Sequence, residues 1–436
     1  MAVKANRDRL AILGGNPVHT RPFPSWPVHG EEEKEAVLRV LESGNWWRYS
    51  YGEGVALVEH PEDIRSEVAK FQQAFANHQN SKYGVAVANG TAALEICLKA
   101  LGIGPGDEVI VPAYTYVATA TCVLQVNAVP IFADVEAETY NLDPESFAAA
   151  ITPRTKAVIP VHFAGQAADL DRLLPIAKKH GISVVEDAAH AHGARFNGKG
   201  LGSFGIAGVF SFQNSKNMTA GEGGLITTDD LEFAELCESY AWAGRQKGHP
   251  WYEMHRLGWN YRLTEFQGAI LQAQLARLDE QNAVRMKNAR YLAEHLAEIG
   301  GLRPLKLDPR TNPCSHHIFI VRFDPDGFEG IPRQKFVEAM NAEGIPCFYG
   351  YTAPLYENPM FLNKDFCPKG CPVNCPFYGV ELDYRSFRGT CPVAERACYQ
   401  EAVWFEHRLL LGTKDDMDDI VQAAAKVTAN IGQLRG

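Results

Sequence analysis

From residue 84 to about residue 230 the chain alternates short apolar runs with amphipathic helical segments, a rhythm that few architectures can accommodate. The apolar runs are GVAVA at 84–88, EVIVP at 108–112, PIFAD at 130–134, AVIPV at 157–161, SVVED at 183–187 and GVFSF at 208–212. Between them, TAALEICLKALG, ATATCVLQVN, DPESFAAAI and DLDRLLPIAKKHG repeat their apolar residues with the 3.6-residue period of helices. Strands apolar on both faces, interleaved with such helices, predict an α/β fold with a mostly parallel sheet covered on both sides.

The flanks differ. EEEKEAVLRVLE at 31–42 reads as a helix with an acidic first turn, ending at Ser43-Gly44. The next stretch, NWWRYSYGEG, is aromatic and turn-like, and a second helical pattern covers 65–78. A long helical segment over 265–298 leads into strand-like HIFIVRF, a helix at 333–343 and IPCFYGYTAPLY. The chain has 436 residues, beyond the roughly 250–300 at which single cores stop growing. Two domains are expected: an N-terminal segment and large domain over 1–285, and a smaller α+β domain over 286–436.

Charge and composition exclude several classes of function. The net charge is −10 and no window clusters lysines and arginines, so a nucleic-acid partner is not expected. Charges interrupt the N-terminus, MAVKANRDRLAILGG, where a secretory signal needs an apolar core, and no run reaches the length of a membrane span. A cytoplasmic enzyme without membrane attachment is expected, and its cysteines, such as Cys97 and Cys122, read as small buried hydrophobes rather than disulfides. Cys367, Cys371 and Cys375 in CPKGCPVNCPFYG lack the CxxC pairs of structural zinc; a loop near the active-site entrance is expected there, and no metal.

The segment 208–228, GVFSFQNSKNMTAGEGGLITT, sets one lysine, Lys216, in a polar stretch between two apolar strands. Alone, it fits a solvated loop residue as well as a ligand-holding amine. Asp187 ends the SVVED run, at the carboxyl end of a strand where open α/β sheets place their ligands. Read singly it is also open to a helix cap or a surface acid; read with Lys216, it is a carboxylate that keeps a heterocyclic nitrogen protonated while the lysine forms an imine. His190 follows, placed to pack against a flat ring, and His192 beside it does not complete a zinc set. Upstream, Asn89-Gly90-Thr91 lie between a strand and a helix, where glycine allows close approach and a helix start accepts phosphate. Tyr114 and Tyr116 stand at another strand end, either as stacking aromatics or as core.

These pieces resemble the DegT/DnrJ/EryC1/StrS family of sugar and aminocyclitol aminotransferases, most specifically in SFQNSKNMTAGEGG, with EDAAHAHGA, NGTAALE, PAYTY and GWNYRLTEFQ in support. The resemblance spans nearly the whole chain. It implies the fold-type I architecture of pyridoxal-phosphate enzymes, with a seven-stranded sheet. It further implies that Lys216 carries pyridoxal 5′-phosphate as a Schiff base, that Asp187 pairs with the pyridine nitrogen and that Ser211, Gly90 and Thr91 hold the phosphate. By the same resemblance His190 lies beside the ring, where many relatives have glutamine, and Tyr116 stacks on it. Asn260 reaches the phosphate of a neighbouring subunit, which implies a homodimer with shared active sites. The implied reaction moves an amino group from L-glutamine or L-glutamate to the ketone of a cyclitol or sugar, through pyridoxamine 5′-phosphate. The motif combination is closest to the aminocyclitol and 3-amino-5-hydroxybenzoate branch, so an aromatising dehydratase of the latter type stands as the alternative.

Overall fold

Strands that are apolar on both faces need cover on both, and the computed structural model, which describes residues 9–51, 64–364, 366, 369 and 371–435, provides it. Helices α1 (Glu31–Ser43) and α2 (Glu67–His78) precede the first strand. Then β1 (Tyr83–Val87), α3 (Gly90–Ala100), β2 (Glu108–Pro112), α4 (Ala118–Gln125), β3 (Val129–Ala133), α5 (Pro144–Ala149) and β4 (Thr155–Val158) follow in turn. Helix α6 (Leu170–His180) leads to β5 (Ser183–Asp187), a small ribbon of β6 (Arg195–Phe196) and β7 (Lys199–Gly200), and then β8 (Ala207–Ser211), β9 (Gly224–Thr228) and α7 (Leu231–Ala241). The C-terminal elements are α8 (Glu265–Leu296), β10 (Leu302–Pro304), β11 (Ile318–Phe323), α9 (Arg333–Ala342), α10 (Pro359–Asn363), α11 (Pro392–Arg396), β12 (Ala402–Glu406) and α12 (Lys414–Ala429).

The main sheet has seven strands in the order β1-β9-β8-β5-β4-β2-β3. Neighbours from β8 to β3 run parallel, as helical crossovers require. The link from β8 to β9 contains no crossover helix, so β9 runs back antiparallel and pairs with β1 on its other side. Because Lys216 lies on that link, it emerges at the same edge as Asp187, the last residue of β5. Gly90, at the start of α3, allows this edge to close: a Cβ there would stand 2.9 Å from Ser211 Cβ. The sequence expectation of a mostly parallel α/β sheet is met.

A second, antiparallel sheet, β10-β11-β12, packs with α9, α12 and the last turns of α8 around Phe319, Phe336, Phe405 and Ile420. Residue 285, the expected domain limit, falls inside α8, which runs unbroken from the first core at Leu271 and Leu278 into the second at Leu292 and Leu296. The N-terminal segment also belongs to this second body, since Leu10 is buried in its core. The buried Glu343 carboxylate accepts from Ala11 N–H, Val18 N–H and Lys426 Nζ, and Lys426 also donates to Asn16 O. The expected cysteine loop at the active-site entrance is not where the structure puts residues 371–379. Tyr378 Oη donates to Glu108 Oε1 at 2.9 Å, at the amino end of β2, opposite the edge that carries Asp187 and Lys216. Cys367 lies outside the described residues. Among the described residues no helix is long and apolar enough to cross a membrane.

One buried carboxylate ties the sheet to the loop that precedes β8. Glu186 Oε1 accepts from Phe204 N–H and Gly205 N–H, and Oε2 from Gly202 N–H and His162 Nε2. Ala168 N–H donates to His162 Nδ1, so the ring carries its proton on Nε2. Burial pushes the Glu186 pKa up, but the His162 and backbone hydrogen bonds outweigh it and hold the group below the ordinary 4.5. Its contribution is therefore complete above the ordinary carboxylate pKa and fades as pH falls through the lower folded value. Glu186→Gln is expected to lower stability by about 3 kcal/mol at pH 7, and the difference should narrow below pH 4.5. Urea unfolding of both proteins at the two pH values checks this; equal midpoints at pH 7 would remove Glu186 from the account.

Candidate active site

The carboxyl edge of the main sheet and the face of the second sheet enclose a cavity of about 950 Å³. Three strand ends build its floor. Asn89, Gly90 and Thr91 come from the turn between β1 and α3, where Asn89 Oδ1 caps the helix by accepting from Ala92 N–H. Asp187 comes from the end of β5 and Ser211 from the end of β8, with Lys216 one turn beyond.

Asp187 is 6% exposed, and its carboxylate accepts from Thr119 Oγ1 at 2.9 Å and from Ala189 N–H at 3.2 Å. Burial raises its pKa; those hydrogen bonds and the Lys216 charge work against the rise. Burial likewise lowers the Lys216 ammonium from 10.5 to about 8, although Asp187 favours the charged form. The lysine therefore titrates near neutrality, where its free amine is available as a nucleophile.

The Lys216 turn is held by groups from distant segments. Trp26 Nε1 donates to Asn214 O at 2.8 Å, and His407 Nε2 donates to Ser215 O at 3.0 Å. Arg285, fully buried on α8, donates to His407 Nδ1 at 3.3 Å, which leaves the His407 proton on Nε2. Beyond the lysine, Asn217 Nδ2 donates to Ser315 O at 2.7 Å, and Asn217 Oδ1 faces His317 Nδ1 at 2.9 Å. Ser315 Oγ donates to His190 O at 2.5 Å and so fixes the segment after Asp187 to the same brace.

Four histidines surround this turn, and burial keeps all of them neutral. His190, His317 and His407 lie well below the usual histidine range, and His192 is pushed down to about 3. His192 Nε2 donates to Ser211 O at 2.8 Å. His190 stacks obliquely on His317 with centroids 4.2 Å apart, and its buried Nδ1 has no hydrogen-bond partner among the described residues.

Of the residues singled out in the sequence, Gly90, Thr91, Tyr116, Asp187, His190, Ser211 and Lys216 all line this one cavity. The two tyrosines separate: Tyr116 is 59% exposed at the cavity, whereas Tyr114 is buried and accepts from Trp404 Nε1. Asn260 is exposed and does not line the cavity of its own chain, although the next residue, Tyr261, does. Sequence reasoning missed Trp26, Thr119, His317, Tyr351, Trp404 and His407. HIFIVRF carried only a strand signal, and His317 precedes its first strand residue.

The comparisons with known proteins agree with this geometry. The sequence profile described as the DegT/DnrJ/EryC1/StrS aminotransferase family matches residues 28–378. A relative from Streptoalloteichus tenebrarius, provisionally named an L-glutamine:3-amino-2,3-dideoxy-scyllo-inosose aminotransferase, is 41% identical over 98% of this chain and 100% of its own. The L-glutamine:scyllo-inosose aminotransferase of Streptomyces griseus is 38% identical over 98% of this chain and 99% of its own. The crystal structure of 3-amino-5-hydroxybenzoic acid synthase superposes with a TM-score of 0.81 at 36% identity, covering 96% of this chain and 99% of that one. Fold, cavity and sequence therefore agree: the chain belongs to the DegT/DnrJ/EryC1/StrS aminotransferase family.

Proposed function

We propose that the chain is a pyridoxal-phosphate-dependent aminotransferase that takes its amino group from L-glutamine and delivers it to the ketone of a cyclitol. The observation that carries the chemistry is the placement of Lys216 and Asp187 in one cavity, the lysine with a pKa of about 8 and the aspartate held by Thr119. The donor and acceptor classes are taken from the names of the relatives.

The residues present fit the cofactor. The unpartnered Nδ1 of His190 is a buried polar atom that a polar ring substituent would satisfy. The closely packed Gly90 and Ser211, with Thr91 at the start of α3, offer a helix N-terminus and hydroxyls to a phosphate. When bound, pyridoxal phosphate supplies a protonated pyridine ring that takes up the electron pair left by a departing α-proton. Asp187 keeps the ring nitrogen protonated, and the positive charge gained there offsets the burial that raises its own pKa. Lys216 Nζ would hold the cofactor covalently and, as a free amine, would take the proton from the donor α-carbon. Tyr116 covers one side of the site, and the brace through Asn217 and Ser315 keeps the lysine turn in register with His190. The assembly that fits is a homodimer, with the exposed Asn260 of each subunit reaching the phosphate in the other.

Attachment of pyridoxal phosphate to the cofactor-free protein should accelerate with pH through about 8, as the Lys216 ammonium loses its proton. Borohydride reduction and peptide mapping should place the label on Lys216, and Lys216→Ala should lose both label and turnover; a label on another lysine would overturn the assignment. Asp187→Asn should retain the cofactor but slow α-proton removal by on the order of 100-fold in single turnovers, the scale of a lost electrostatic stabiliser. Unchanged kinetics with full occupancy would refute its role.

The acceptor is checked by offering glutamine with keto-cyclitols, nucleotide-linked ketosugars and aminodehydroshikimate and reading product masses. Amination of keto-cyclitols is expected; turnover confined to aminodehydroshikimate with loss of water would replace this reading. Mixing inactive Lys216→Ala chains with inactive Asn260→Trp chains should restore activity in up to about half of the heterodimer's sites, because a two-fold interface gives one site both lesions and the other neither. No recovery in verified heterodimers would place Asn260 outside the partner's site.

A further inference from the structure

The hydrogen bonds around His317 determine which of its two nitrogens bears the proton. Asn217 lies against Ser315 O at 2.7 Å, a carbonyl that can only accept, so the amide nitrogen must point there and Oδ1 must point to His317. Oδ1 can only accept as well, which requires His317 Nδ1 to be the donor. A neutral ring protonated on Nδ1 has a bare lone pair on Nε2. His407, on the same wall, is set the other way: Arg285 donates to its Nδ1, and its Nε2 proton goes to Ser215 O. Both nitrogens of His407 are therefore engaged, whereas Nε2 of His317 has no partner among the described residues. His317 is 6% exposed and lines the cavity.

The cavity that His317 lines also has an aromatic wall. Trp404 of β12 packs edge-on against Tyr351 at 4.9 Å and Phe348 at 5.7 Å between centroids, and all three line the cavity. Glu406, on the same strand, adds a carboxylate to this wall. Aromatic faces suit the C–H surface of a saturated ring, and acceptors without protons of their own suit its hydroxyls. A polyol ketone presents both, whereas the glutamine donor has no saturated ring to lay on the aromatic faces.

We propose that His317 is a specificity-determining residue whose Nε2 accepts a hydrogen bond from a hydroxyl of the polyol ketone. The inference rests on the cyclitol-acceptor reading above. A hydroxyl-lacking analogue would cover this acceptor without pairing it, so the interaction discriminates against such ketones.

Two substitutions separate this role from mere bracing. Asparagine at this position carries an amide N–H where histidine has Nδ1, so His317→Asn keeps the bond to Asn217 and loses the acceptor. Glutamine places its carbonyl oxygen near the position of Nε2, so His317→Gln keeps the acceptor and loses the brace. With the holoenzyme, His317→Asn should raise the KM for a keto-cyclitol on the order of 10-fold, with a smaller fall in kcat. Calorimetric affinity for scyllo-inositol, which has the hydroxyls but no ketone, should fall by a similar factor. His317→Gln should hold the acceptor KM closer to wild type while releasing the cofactor more readily on dialysis. If wild-type enzyme uses no polyol ketone, the acceptor reading itself fails. If it does, and His317→Asn keeps both the KM and the scyllo-inositol affinity while only His317→Gln is impaired, then His317 is a brace and the inference is overturned.

Discussion

Asn217 is buried next to Lys216, and its carboxamide spans Ser315 O on one side and His317 Nδ1 on the other. Ser315 in turn donates to His190 O, so three segments remote in sequence are locked together by groups that have no water to fall back on. A buried donor or acceptor left unmade costs about 1–3 kcal/mol, which makes each of these bonds hard to trade for another arrangement. The distance between the lysine turn and the segment after Asp187 is thus set by the C-terminal body as much as by the strands that carry them. Strands β5 and β8 are parallel neighbours and deliver their last residues to the same edge, but neither strand holds the turn beyond β8. Trp26 and His407 hold it from outside.

Burial dominates the electrostatics of the cavity and moves its groups toward their neutral forms. The lysine falls to about 8, the aspartate rises, and His190, His317 and His407 drop well below the usual range. Arg285 is the exception in kind: it is fully buried, donates to Asn282, Gln281 and His407, and is lowered only to about 9. Neutral imidazoles also keep their proton positions fixed, so the direction of each hydrogen bond is decided before any ligand enters.

The sheet was legible because its signal is local: each apolar run and each helical period is contained in a dozen residues, and the 84–88, 108–112 and 183–187 runs fall on or within one residue of β1, β2 and β5. Lys216, Asp187, Gly90, Thr91, Ser211, His190 and Tyr116 were legible because they stand at strand ends or in the turns just after them, where α/β sheets expose ligands. The residues alone left Tyr114 and Tyr116 equivalent and only the family resemblance picked Tyr116; what separates them physically is a hydrogen bond from Trp404, far away in the chain. The cysteine loop misled for a similar reason: its composition suggested an entrance, but its place is fixed by one tyrosine bonded to the far end of β2. The domain limit was obscured by α8, whose period continues without a break through both cores.

His317, Trp404 and His407 had no local signature, because what makes them functional is their apposition to a turn formed about a hundred or more residues earlier. This division has a consequence for how such enzymes diverge. The floor of the cavity, drawn from residues 89–216, carries the groups proposed to hold the cofactor, and its parts constrain one another through hydrogen bonds. The wall drawn from residues 317–408 lines the same cavity, and several of its members, such as Phe348 and Glu406, are not tied into the brace. Substitution at these two positions would alter the cavity wall without breaking a hydrogen bond of the brace. Relatives of nearly equal identity to this chain are accordingly named for aminating inososes and for making an aminohydroxybenzoate, so overall likeness does not decide between them. On the inference drawn for His317, the proton acceptors among aromatic faces on that wall favour a hydroxylated saturated ring over a planar carboxylate.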